Sequence, residues 1–189
     1  MLARLEPLIS AKKSDGTAIL LTWEELYQPL TAPERAFLDD VRALKAEALG
    51  ATSHYFGEAE GAPLVPVGPY AQRLPQDVHE AYERMMDAME RDLGTRLLVE
   101  SGYRSPAYQL YLFLFYLPTH EDSIRETNRH VALPGYSEHG NPKRQAIDFI
   151  TQDGVNGEEH PEEFEARPEY QWLHAHAAAL DRDVDVRDL

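Results

Sequence analysis

Apolar positions along the chain fall into several stretches at helical spacing, punctuated by Gly and Pro. Thr22 to Glu25 has the form of a capping box, and Thr31 to Glu34 repeats it with Pro33 in the first turn. The segment that follows carries Phe37, Leu38, Val41, Leu44 and Ala48 on one side. It predicts a helix that stops at Gly50. Residues 57–69 are rich in Gly and Pro and predict an extended loop, with short strand character at Leu64 to Val67. A second long helix is predicted from Pro75 to Leu93. Val78, Tyr82, Met85, Met86 and Met89 form its stripe and Gly94 its stop. Methionines at this spacing read as core.

Leu97 to Val99 predicts a buried strand, broken by Ser101 and Gly102. Ser105 and Pro106 form a cap and first turn for a third helix carrying Tyr108, Leu112, Phe115 and Tyr116. Pro134 and Gly135 mark a turn, and Ala146 to Ile150 predicts a central strand. A last helix is expected over Pro168 to Leu180, with Trp172, Leu173 and Ala177 facing inward. Residues 181–189 alternate in character and are expected to form an edge strand or nothing. These elements predict an α+β fold with helices packed on a small antiparallel sheet.

Composition narrows the chemistry. A chain of 189 residues suits one domain with a real core. The net charge of −15 argues against nucleic acid or an anionic membrane as partner, since phosphate binders must offset that charge with Lys and Arg. The absence of cysteine excludes disulfides and thiolate ligands, so any metal must be held by imidazole and carboxylate. Residues 1–10 lack the pattern of a secretory signal, and no run is long enough to span a bilayer. Compartment and oligomeric state stay open.

One local cluster carries candidate chemistry: Ser137-Glu138-His139-Gly140, followed by Ala146-Ile147-Asp148. Zinc hydrolases take an imidazole and a carboxylate from such neighbouring elements. Taken by spacing alone, residues such as these more often fill surface or hydrogen-bonding roles. Arg104 in isolation could pair with any of the many acids.

The flanking residues extend this cluster into two blocks. Upstream lies Ser101-Gly102-Tyr103-Arg104-Ser105-Pro106, ending at Gln109. Downstream lies Pro134-Gly135-Tyr136-Ser137-Glu138-His139, closed by Ala146-Ile147-Asp148-Phe149. Together they resemble the core blocks of the VanY and VanX group of D-alanyl-D-alanine carboxypeptidases, which share a fold with the zinc domain of hedgehog proteins. The likeness runs from the helix at Pro75 to the helix ending at Leu180, and residues before Val67 carry none of it. A helical extension over 1–66 and a metallopeptidase domain over 67–189 are therefore expected.

The resemblance implies a zinc enzyme that cleaves D-Ala-D-Ala ends of peptidoglycan stem peptides. It implies His139 and Asp148 as two of three zinc ligands. Arg104 becomes the group that contacts substrate and steadies charge on the scissile carbonyl, and Ser137 a residue beside the peptide. Tyr103 and Gln109 read as structural, with Gln109 bracing the Arg104 loop. Two departures stand out. Asn141 to Gln145 lengthen the path from His139 to Asp148 by about two residues, which a loop absorbs at little cost.

The second departure is that the family's third block, a Glu followed by Trp-His that supplies the base and third ligand, is not evident before Leu189. Glu169, Trp172 and His174 imitate it within a helix expected to pack on the core. His174 and His176, two apart, cannot face one metal. His130 and His160 are other conceivable ligands. A degenerate relative that binds cell-wall peptide without cleaving it is the alternative.

Overall fold

The computed structural model describes residues 1–50, 55, 57, 63–141 and 145–180, with side chains as far as residue 176. The chain forms two compact units. Residues 1–61 and 104–141 make the first; residues 62–103 and 142–189 make the second.

Within the first unit the described secondary structure is helical. It comprises α1 (Leu2–Ser14), α2 (Trp23–Tyr27) and α3 (Ala32–Ala43), then 3₁₀ turns at Ala18–Leu20 and Ala46–Leu49. Both expected capping boxes form. The Glu25 carboxylate accepts the Thr22 N–H at 2.9 Å, and Glu34 accepts that of Thr31 at 2.8 Å. The Thr31 backbone and side-chain hydrogen bonds hold the Glu34 carboxyl down to about 2. The helix opened by Thr31 is shorter than expected. Leu44 turns extended, which lets the following 3₁₀ turn bury Ala46 and bring Leu49 onto the core before Gly50 takes its left-handed conformation. The guanidinium of Arg42 covers the ring of Trp23, 3.7 Å from its centre.

α5 (Pro106–Tyr116) and α6 (Ile124–His130) complete this unit. Ser105 caps α5 by accepting the N–H of Tyr108 at 3.2 Å. The face of α5 is a correction. Ala107, Leu110, Tyr111, Phe113 and Leu114 are its buried apolar positions, packed with Leu5, Leu26, Leu38 and Leu133; of the expected positions Tyr108 and Leu112 pack against that core, whereas Phe115 and Tyr116 are exposed. A helix apolar all round gives its periodicity no face to choose.

The second unit holds two short antiparallel sheets. β1 (Leu64–Val67) pairs with β2 (Gln72–Pro75), and β3 (Leu98–Ser101) with β4 (Asp148–Ile150). β4 was expected to be central; among the described strands it pairs with β3 alone. α4 (Gln76–Leu93) buries Tyr82, Met85, Met86 and Met89 against Leu97, Val99 and Phe149, so the methionine stripe is core. α7 (Pro161–Glu165) precedes α8 (Pro168–Leu180), whose Trp172 and Leu173 are buried in the same core. The expected edge strand over 181–189 and the inward face of Ala177 lie outside the described residues. Helices with small antiparallel sheets make the fold α+β, as expected. No helix among the described residues is long and apolar enough to cross a membrane.

Candidate functional site

The first block runs from β3 into α5. Gly102 has to be glycine: a Cβ there would meet the Arg73 carbonyl oxygen at 2.5 Å and Leu74 at 2.9 Å. Its N–H donates to the side-chain oxygen of Gln72 at 3.2 Å, and that of Tyr103 donates to the Arg73 carbonyl at 2.8 Å. β2 thereby holds the strand exit one residue before Arg104. On the other side, the Ser105 N–H donates to the Ile19 carbonyl at 2.8 Å and its hydroxyl to that of Leu21 at 2.6 Å.

Arg104 and His139 come together. The Arg104 N–H donates to the His139 carbonyl at 2.9 Å, and Arg104 Nη2 lies 3.4 Å from His139 Nε2. His139 sits in a 3₁₀ turn (Glu138–Gly140) whose preceding residue is Ser137, and the Ser137 carbonyl accepts the Gly140 N–H at 3.1 Å. Ser137 itself is buried. Gln109 reaches the Ala132 carbonyl at 2.8 Å, so it braces the approach to the second block rather than the Arg104 loop.

Asp148 belongs to the second unit, at the start of β4, opposite Ser101 and next to a bulge. The sequence reading passed over its neighbour Glu100. The buried Asn156 donates to Glu100 at 2.6 Å. Burial, then the charges of Asp148, Glu158 and Glu159, push the Glu100 carboxyl above its ordinary range, although the Asn156 hydrogen bond opposes them. No sequence signal separates Glu100 from the other acids, because partial burial beside Asp148 and Asn156 is set by the fold.

The residues of α8 that imitate a third block are engaged in packing or ring contacts. Glu169 accepts from the Thr95 hydroxyl at 3.4 Å, the Trp172 indole donates to Asp92 on α4 at 2.8 Å, and His174 lies beside Tyr170. The His176 ring stacks on Trp172 at 4.6 Å. His130 stacks on His120 at 4.6 Å. A catalytic zinc takes three protein ligands. Among the described residues no group of three or more His, Asp or Glu could hold a metal. His139 and Asp148 are donors of a kind that zinc accepts; His139 belongs to the first unit and Asp148 to the second.

Solved structures share the fold of this chain. VanYB in complex with D-alanine-D-alanine aligns at a TM-score of 0.51 and 19% identity, over 67% of each chain. A mutant of the vancomycin-resistance D,D-pentapeptidase VanY from a VanB-type cassette, in complex with Zn(II), aligns at 0.48 and 21% identity. That alignment covers 64% of this chain and 65% of the other, so it spans less than two thirds of that relative's length. The α+β fold is thus shared with VanYB. A search of curated proteins found no match. The family model of VanY D-alanyl-D-alanine carboxypeptidases matches residues 71–182, and the chain belongs to that family.

Proposed function

We propose that this chain is a zinc-dependent carboxypeptidase that acts on D-Ala-D-Ala-type ends of peptidoglycan stem peptides. Arg104 and Ser137 serve the substrate in this reading, and His139 and Asp148 are two of the metal's ligands. The observation that carries it is the pairing of the Arg104 guanidinium with the His139 imidazole, backed by a backbone hydrogen bond. Membership of the VanY family and the D-Ala-D-Ala complex of VanYB support the choice of ligand.

Arg104 suits a carboxylate or a developing oxyanion, because it is permanently charged and offers several donors in a fixed plane. Ser137 adds a hydroxyl next to the turn that carries His139. In this reading Arg104 and Ser137 bind and orient the peptide end.

A second reading is a relative that binds cell-wall peptide without cleaving it. The lack of a third donor among the described residues favours it. One experiment separates the two. The purified chain is given a stem-peptide mimic ending in D-Ala-D-Ala, and D-Ala release and calorimetric binding are measured with and without added zinc. Zinc-dependent release that disappears in His139→Ala supports the enzyme. Binding without release, lost in Arg104→Ala, supports the binder. Neither binding nor release would remove both readings.

A further inference from the structure

We infer that Tyr55, which precedes the family-matched segment, is a positioning residue for the turn that presents Ser137 and His139, and that it grips this turn together with Gly57. The inference rests on the proposed function only for its effect on peptide binding; the grip itself is argued from geometry. Residues 1–61 share a compact unit with residues 104–141, and the family match begins at residue 71.

The Gly57 N–H donates to the Gly135 carbonyl at 3.2 Å. Gly135 adopts φ +80°, and the Tyr55 ring occupies the space that a side chain there would need. The same ring meets Tyr136 edge-on, with centres 5.2 Å apart. Tyr136 is buried, and its hydroxyl donates to Glu47 at 3.0 Å. Residues 47, 55 and 57 therefore hold both members of the dipeptide immediately before Ser137. From there the chain reaches His139, whose carbonyl accepts from Arg104.

Tyr55 keeps 60% of its surface exposed, the largest fraction among the exposed large hydrophobics. So little burial gives it a small share in the core. Its described neighbours are Gly135 and the Tyr136 ring, so that a loss of contact frees the turn rather than the fold. A shift of that turn moves the His139 ring relative to the Arg104 guanidinium, now 3.4 Å away.

The test compares Tyr55→Ala and Tyr55→Phe in the full chain. Hydrogen exchange is read at the amides of Tyr136 to Gly140 and of Arg104. Tyr55→Ala is expected to speed exchange there by about tenfold, with the thermal midpoint little moved, and Tyr55→Phe to restore the wild-type rate. Unchanged exchange, or a rise spread evenly over the first unit, overturns the grip.

Affinity for the D-Ala-D-Ala mimic is measured on the same proteins and is expected to fall about tenfold in Tyr55→Ala and recover in Tyr55→Phe. Faster exchange with unaltered affinity overturns the positioning role. If the wild-type chain does not bind the mimic, the proposed function fails, while the exchange data still decide whether Tyr55 holds the turn.

Discussion

The hydroxyl of Ser105 donates to the carbonyl oxygen of Leu21 at 2.6 Å, and that hydroxyl oxygen accepts the N–H of Tyr108 at 3.2 Å. One side chain thus ties residue 21 to the start of α5 and caps that helix next to Arg104. Ser105→Ala removes the cap and strands a buried carbonyl. It should cost about 2 kcal/mol in urea unfolding, the sum of a lost cap and a lost buried hydrogen bond. A cost near zero would show that the tie carries no stability.

Arg104→Lys keeps the charge but loses the planar fork. If the guanidinium holds the peptide's carboxylate or oxyanion, both Arg104→Lys and Arg104→Ala should weaken binding of the D-Ala-D-Ala mimic. A charged hydrogen bond is worth about 1.5–3 kcal/mol, so Arg104→Ala is expected to lose roughly ten- to a hundredfold in affinity. Calorimetry checks this, with circular dichroism confirming that the fold persists. Equal affinity in all three proteins would remove Arg104 from the site.

Gly102→Ala places a methyl against the Arg73 carbonyl at 2.5 Å, and backbone cannot step aside as a flexible side chain can. About 1–3 kcal/mol of destabilisation is expected, as for other overpacked positions. The loss should appear in denaturant unfolding, and first in exchange at the Tyr103 amide, which donates to that same carbonyl.

Glu100 sets a pH dependence. Its folded value lies above the ordinary 4.5. Between those two values the folded chain holds more of this proton than the unfolded chain, so its contribution to stability falls as pH rises through that window. Glu100→Gln keeps an acceptor for Asn156 and removes the charge. The variant's thermal midpoint, measured with a chelator present, should gain on wild type from pH 4 to pH 7, the direction this linkage dictates. A constant difference across that range would show that Glu100 is not the group responsible.

The sequence was most readable where a side chain acts on its own backbone or where one face of an element is apolar. The capping boxes at Thr22 and Thr31, the cap at Ser105 and the stripe from Tyr82 to Met89 all formed as expected. Local rules failed where tertiary packing decides. α5 is apolar on every side, so only the first unit's core reveals that Phe113 is inside and Phe115 outside. α1 lies in the helical extension expected over 1–66 but was not placed within it, although Leu5 and Ile9 lie one turn apart and are buried. Ser123 and Glu126 carried a cap signal for α6 that went unread.

In the site, the motif blocks named Arg104 and His139, which the structure brings together. Glu100 and Tyr55 could not be named from sequence. A raised carboxyl depends on burial, and a ring lying against Gly135 depends on a contact between residues 80 positions apart.

The chain's two tryptophans are divided between the two units, each with a cation or imidazole on its ring: Trp23 under Arg42 and Trp172 under His176. Fluorescence can therefore be assigned by unit with single Trp→Phe replacements. A protein keeping only Trp23 reports on the unit that carries Arg104 and His139, and one keeping only Trp172 reports on the unit that carries Asp148. Coincident or separate melting of those two emissions would reveal whether the halves of the molecule unfold as one cooperative body.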